Sequence, residues 1–598
     1  DASGAVLVNA RVTIDGGRGQ SGFVTDAKGS FRASGLIPGQ YQITVTAPGF
    51  ETSGRRVVTV SINTMTPVRI TLAKTASAVV EVVASSTAID TTTQTSGSTF
   101  TSTAISSLPI GRAFSSVVNL APGVASSGID SNNPSVGGSS GLENQYVIDG
   151  VNTTQPAYGA NGSYSIVYGS LGTGINTDFI SEVQIKSFGL DAEFGGSTGG
   201  MVNAVTKTGD NTLHAQVFAY FDIDSLQSRN KVPPRIDPTQ RIPPSFDSTN
   251  RTEFGFTVAG PLIKDKLWYF VGYNPIRTSV KRTQVDPAQP FYGRQAEAKN
   301  QTDTYYGKLN WAITNTQNLE FSIFGDPGKL PFGPNVGAGA YYNPTYSWES
   351  VEFGGRNWSL KYNGVFFSDF LVEARFSQAN NKFRRSLDPQ VQGAYRVTDA
   401  YTGVQVSPGP GFIDGTDDKN KQTDIKLTKI FGDFELKVGY SQEKLEHKGG
   451  NTYQGPAGFV DPHVGATGQP YSSGALVSKR YYVTGDISAV ATGDVLPLSR
   501  VGTYYRITRA RTTPPLIPTE APWKSYFIQG KYNWNNRLFI KAGFRWDEED
   551  MKGLQSNYKF KAADAMAPRM SITWDPEANG RNKIYAFYGK YFEKVPLD

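Results

Sequence analysis

Two short stretches of the chain carry a pattern that could support nucleophilic catalysis. Gly137–Gly141 reads GGSSG and Gly195–Gly199 reads GGSTG, so G-x-S-x-G occurs twice. In a nucleophile elbow that spacing perches a serine on a sharp strand-to-helix turn, within reach of a histidine base. The prefixes here are DSNNPSV and LDAEF, and neither is a hydrophobic strand. GGSTG runs on into MVNAVT, which reads as a strand rather than a helix. Only His214, His447 and His463 could act as the base. The pattern also recurs easily in a chain with 64 glycines, so a hydrolase is disfavoured. The absence of cysteine excludes a disulfide scaffold, a thiolate metal site and a Cys nucleophile. The three histidines are scattered, which argues against a His metal site. Acidic residues are plentiful, but no motif fixes a carboxylate pair for glycoside hydrolysis. The Asp-rich GTDDKN, Gly415 to Asn420, reads as a solvated loop. No catalytic residue, metal ligand or cofactor is assigned.

If Ser197 is not a nucleophile, its glycines need another reason. Gly195, Gly196, Gly199 and Gly200 permit positive φ and close backbone approach, which suits a compact segment packed inside a wall. The totals point the same way. Of 598 residues, 18% are charged, below the usual ~25% of soluble domains. Aromatics reach 12%, with 30 Tyr and 34 Phe, which suggests a large, turn-rich, mainly β protein. The net charge of +6 comes without a dense Lys/Arg run, so nucleic acid is not an expected partner. No run of 18 apolar residues exists, which excludes a transmembrane helix but not a membrane barrel. The opening DASGAVLVNARVTI reads as the middle of a strand-turn-strand, which predicts chain before it.

Four compositional regions follow. Residues 1–74 hold about seven short strand-like runs separated by turns such as DAKGS and IPGQ, as in a small β-sandwich. Residues 75–100 contain AVVEVVAS, Ala78 to Ser85, and then a Ser/Thr-rich stretch expected to be an extended tether. Residues 101–209 read as mixed α/β, with one or two short helices in AISSLPIGRAFSSVVNLAPGV and strands in NQYVIDGVN and FISEVQIKSF. From about 210 to 598, runs of about ten residues alternate apolar and polar. Tyr305, Gly307, Leu309, Trp311 and Ile313 oppose Tyr306, Lys308, Asn310 and Ala312. Ile540, Ala542, Phe544 and Trp546 oppose Lys541, Gly543, Arg545 and Asp547. Long runs with aromatic ends favour a transmembrane antiparallel β-barrel over a soluble sandwich. The loops PPRIDPTQRIPPSFDSTN and GPAGFVDPHVGATGQPYSSG fit its long-loop end. Some 12 to 15 runs are present where a plugged barrel has about 22 strands, so the chain reads as part of a longer receptor.

These motifs resemble known families. GFVTDAKGSF followed by GLIPGQYQITVTAPGF resembles the carboxypeptidase regulatory-like, transthyretin-like domain. NQYVIDGVN followed by ISEVQIKSFGLDAEFGGSTGGMVNAVTKTG resembles the plug of TonB-dependent outer-membrane receptors. LPIGRAFSSVVNLAPGV and DAEFGGSTGGMVNAVTKTG are similar to the Oar-like branch. The resemblance implies a plug motif at Asp149, Gly150, Glu182, Gln184, Gly195, Gly196, Gly199, Gly200 and Asn203, and pairing of TonB with Val79, Val80, Glu81, Val82 and Val83. It departs from the family pattern at two places. Val136-Gly137-Gly138 stands for I-R-G, and Glu182-Val183-Gln184-Ile185 for R-I-E-V, so the Arg and Glu that lock the plug in siderophore receptors are absent. Implied partners are TonB with its inner-membrane energising complex, outer-membrane lipid and lipopolysaccharide, and an extracellular peptide, protein or glycan. The implied place is the outer membrane of a Gram-negative bacterium, with the N-terminal domain in the periplasm. The competing readings are a non-transporting structural or adhesion protein and a secreted glycan-binding protein.

Overall fold

A computed structural model describes residues 1, 3–62, 66, 68–74, 92–165, 169–172, 175–226, 245–283, 293–334, 348–367, 369–387, 396–399, 412–453, 479–483, 486–492, 504–508, 517–535, 537–552, 559–577 and 582–597. The expected loop around 455–474, His463 and the TonB-pairing segment Val79–Val83 lie outside the described residues.

The N-terminal unit is one antiparallel sheet in the order Gln20–Val24, Arg11–Asp15, Gly39–Thr46, Arg56–Val60. Seven runs were expected to be strands, and four are, among the described residues. Phe31, Val68 and Ile70 still pack on the core of Val12, Ile14, Ile43 and Leu72. Those outer runs contribute their side chains to the core without joining the ladder.

A second sheet forms the plug. Its order is Ser96–Thr101, Ile180–Phe188, Met201–Thr206, Gln145–Ile148, Val151–Asn152. Ser96–Thr101, within the stretch expected to be tether, is thus an edge strand, and its Phe100 packs on the plug core. The expected helices are Ser102–Ser107, capped by the Thr101 hydroxyl, and Phe114–Val118. The fully buried Tyr146, Ile148, Val183, Ile185 and Val202 form a core that also takes in Phe218, Phe270, Tyr306 and Phe324 of the wall. Plug and wall therefore fold around one shared interior.

The wall is a 14-stranded antiparallel sheet running from His214–Asp222 to Ile584–Gly589. Its alternation follows the expected faces. Leu309, Trp311, Ile540 and Phe544 point outward and are at least 40% exposed, whereas Tyr306, Lys308, Arg545 and Asp547 are buried against the plug. The expected strand length of about ten residues is corrected. Gln295–Thr314 and Phe412–Phe431 each have 20 residues, because polar halves such as QAEAKNQTD extend the ladder beyond the apolar band. SFDSTN, expected as loop, opens the Ser245–Ile263 strand. GTDDKN likewise lies within Phe412–Phe431, and its Asp418 is buried against His447. At one end the strands join through tight turns at Asp265, Gly432 and Asn535, all with positive φ. The N-terminal sheet sits against this short-turn end. There Lys28 pairs with Asp433 at 2.9 Å and Arg32 with Glu435 at 2.5 Å.

Candidate functional site

The two glycine motifs pack against each other. A Cβ on Gly200 would come within 2.3 Å of Val136, and Ser139 Oγ lies 2.6 Å from where one on Gly199 would sit. The Gly200 amide donates to Asn144 Oδ1 at 2.9 Å. Ser197 donates its hydroxyl to the Glu143 carbonyl at 2.5 Å. That hydroxyl fastens a turn leading into Met201–Thr206, a strand, where an elbow would need a helix. His214 pairs with Asp210, and His447 with Asp418.

The expected plug residues divide into three places. Asp149 and Gly150 form a left-handed turn, at φ +46° and +83°, that aims the Asp149 carboxylate at the wall. It accepts from Lys308 Nζ at 3.1 Å, from the Thr206 amide at 3.0 Å and from the Tyr306 hydroxyl. Burial opposes this charge, but Lys308 and the hydrogen bonds outweigh it and hold the Asp149 carboxyl below its ordinary range. Glu182 and Gln184 face the N-terminal sheet. Glu182 accepts the Ile62 amide at 3.1 Å, and Gln184 donates to the Ile62 carbonyl at 3.2 Å. Burial pushes the Glu182 carboxyl up. Asn203 sits opposite Gln184 in the neighbouring strand.

Gly195 and Gly196 end the third and densest place, the segment Gly189–Gly196. A Cβ on Gly195 would lie 2.2 Å from Arg545 Nε, so only glycine lets the guanidinium approach. Arg545 donates to the carbonyls of Ala192 and Glu193 at 3.3 Å. Arg569 donates to those of Leu190 at 3.2 Å and Phe194 at 2.6 Å. The segment's side chains reach the wall as well. Asp191 pairs with Lys541 at 3.1 Å, and Glu193 with Lys426 at 2.9 Å and Lys437 at 3.4 Å. Burial alone would raise Glu193, but Lys426 and Lys437 overcome it and hold the carboxyl far below its usual value. Lys186 stands behind them, its ammonium 4.4 Å from the Phe194 ring centre, and burial pulls its pKa down to about 8.

Sequence reasoning did not single out Asp191, Glu193, Arg569 or the cations that meet them. It placed Lys308, Arg545 and Asp547 on the polar face of the wall without naming what they hold. Arg112 was missed too. It pairs with wall residue Glu253 at 2.9 Å and stacks 3.4 Å from the Tyr220 ring centre. The one available signal was LDAEF, two acids two apart, immediately before the glycines. The arrangement seats a small α/β body in a curved wall through paired charges and backbone carbonyls.

Comparison with known proteins agrees with this reading. The carboxypeptidase regulatory-like domain family matches residues 1–73, and the outer membrane beta barrel domain family matches residues 205–291. The TonB-dependent transporter Oar of Myxococcus xanthus is 27% identical, over 97% of this chain and 59% of its own length. The outer membrane transporter YddB from Escherichia coli has a similar fold, with a TM-score of 0.56, 14% identity, and 84% of this chain against 62% of that one. The ferripyoverdine receptor of the outer membrane of Pseudomonas aeruginosa matches at a TM-score of 0.53 and 15% identity, over 84% of this chain and 57% of that one. The chain thus spans less than two thirds of the relatives it matches. Seated plug, outward apolar wall, the two domain matches and the relative together make this outer-membrane chain similar to the TonB-dependent transporter Oar, with a carboxypeptidase regulatory-like domain at its N-terminus and an outer-membrane β-barrel domain after the plug.

Proposed function

We propose that the chain is the sandwich, plug and much of the wall of a TonB-dependent outer-membrane transporter for a large ligand, a peptide, protein or glycan. Residues 1–74 form a periplasmic domain, 75–95 the tether, 96–209 the plug, whose edge strand starts at Ser96, and 210–598 the wall. TonB pairs as an added strand with Val79–Val83, where backbone hydrogen bonds supply the affinity. Force from the inner-membrane complex then loads the plug. No catalytic step is assigned, since the Ser197 hydroxyl is committed to the Glu143 carbonyl.

The observation that carries this reading is the Gly189–Gly196 clamp. A plug held only by apolar packing would need no ion pairs. One held by buried, directional contacts stays shut at rest and opens only when work is done on it. Deleting Ala78–Ser85 is expected to abolish energised uptake while sparing ligand binding at the cell surface. Uptake at the parent rate in that deletion would sink the proposal.

A further inference from the structure

Where the chain enters the plug, two adjacent side chains, Gln94 and Thr95, reach the clamp, and of the two Gln94 is bonded to Asp191. Ser96–Thr101 runs antiparallel to Ile180–Phe188, with Ser96 beside Phe188. The start of the edge strand therefore lies where the chain passes into Gly189–Gly196. Gln94, two residues before that strand, is only 5% exposed. Its Nε2 donates to the Gly189 carbonyl at 2.7 Å and to Asp191 Oδ1 at 2.8 Å. Thr95 adds a hydroxyl donation to the same carbonyl at 3.2 Å. Asp191 is the residue that pairs with Lys541 of the wall.

The orientation of the Gln94 amide is fixed by chemistry. Turning it over would set Oε1 against a carbonyl and a carboxylate, both acceptors. In the orientation present, Oε1 is buried and has no hydrogen-bond partner among the described residues. A buried amide with one end unsatisfied is a costly way to fill space, and a leucine or methionine would pack there at less cost. What the amide adds is a connection.

We propose that Gln94 is the coupling residue through which tension on the tether reaches the Gly189–Gly196 clamp. The inference rests on the transporter reading above. Tension arriving at residue 92 meets the Gln94 contacts before the first pair of the Ser96–Thr101 ladder. It therefore draws on Gly189 and Asp191 while the edge strand is still paired. Asp191 moves away from Lys541, and the carbonyls held by Arg545 and Arg569 follow. Without the amide, only the longer Thr95 contact with the Gly189 carbonyl remains and nothing from the tether holds Asp191, so the same pull peels the edge strand and leaves the clamp seated.

These 598 residues hold no cysteine, and any cysteine of the full-length protein outside them is first replaced by serine, so that single thiols report cleanly. Thr92→Cys reports on the tether, and Ala192→Cys, at a site 2% exposed, reports on the clamp. Each is placed in the full-length protein in cells, and its maleimide labelling is compared with and without a protonophore. With Gln94 present, energisation is expected to raise labelling at both sites. With Gln94→Leu or Gln94→Met, Thr92→Cys should keep its response, while Ala192→Cys should fall at least tenfold, to the de-energised rate. Equal clamp labelling in the Gln94 variants would overturn the coupling and leave the transporter reading standing. So would a rise in clamp labelling without energy, because it would mean that Gln94 only packs. If neither site responds in the parent protein, the transporter reading and the coupling fall together.

Discussion

The Gly189–Gly196 clamp and the contacts of the N-terminal sheet with the wall's turns use the same residue types in opposite surroundings. In the clamp, the side chains of Glu193, Lys426 and Lys437 are 7%, 24% and 18% exposed. At the rim, Lys28 and Asp433 are 71% and 46% exposed and Arg32 is 45% exposed. Both sets have good distances. A charge taken out of water must find its partner or else cost several kcal/mol, whereas a wet pair exchanges one polar neighbour for another. The number of ion pairs therefore says little about how firmly each part is held. The comparison predicts a plug that resists displacement and an N-terminal domain that exchanges readily.

The hardest test of that contrast is Glu193→Ala. It removes the one carboxylate that Lys426 and Lys437 both contact, and removing one partner of a buried pair costs about 3–5 kcal/mol. The expected result is a lower thermal midpoint and ion conductance through the variant in planar bilayers. A midpoint equal to the parent's would mean that the clamp is not a source of stability.

Lys186 sharpens the contrast from the other side, as a buried charge that is costly to the fold. Its folded pKa of about 8 lies below the unfolded value of about 10.4. Between those values the unfolded chain holds a proton that the folded plug has released. Stability therefore climbs with pH through that window and levels off above it. At about 1.4 kcal/mol per unit, the climb amounts to roughly 3 kcal/mol. Lys186→Met should be more stable than the parent at pH 7, with the gap closing by about pH 10.5. Midpoints measured across that range decide it, and a gap that does not narrow would assign the lysine to packing alone.

Gly195→Ala asks how much the clamp depends on close approach. The new Cβ would displace Arg545, which also holds Asp547 and Ser525. Overpacking of this kind is expected to cost about 1–2 kcal/mol, read from denaturant unfolding. A full parental midpoint would show that the guanidinium has room to turn.

The wall was legible in the sequence because period-2 alternation is a local signal. Each residue's side is set by its neighbours two places away, so the outward Trp311 and the inward Lys308 could be assigned without knowing the fold. The plug's strands and helices were legible for the same reason. The clamp was not, because its partners are far apart in the chain. Asp191 meets Lys541 across 350 positions, and Arg569 reaches Leu190 across 379. No periodicity links such residues. The alternation could say that Arg545 faces inward, but not that it holds the carbonyls of Ala192 and Glu193. The strand at Ser96–Thr101 was hidden for a different reason. Its Ser/Thr composition reads as tether, and only the pairing with Ile180–Phe188 makes it part of a sheet.

The mildest perturbation falls at the rim and tests the contrast by its salt dependence. Lys28→Ala with Arg32→Ala removes both ion pairs of the N-terminal sheet with Asp433 and Glu435. Lys28, Asp433 and Arg32 are largely exposed and only Glu435, at 19%, is sheltered, so the wall and plug should keep the parental thermal midpoint. The change should appear only in how often the domain sits at the rim. A thiol pair installed at Gly35 and Val365, which lie against each other, would report that occupancy through oxidative crosslinking. Crosslinking should fall in the double variant, and in the parent it should fall as salt rises from 50 mM to 1 M, since the screening length shrinks from above ~10 Å to about 3 Å. The Glu193 clamp should respond less to the same salt series, because its carboxylate is only 7% exposed and meets two lysines at once. A clamp as salt-sensitive as the rim would erase the distinction between the two regions.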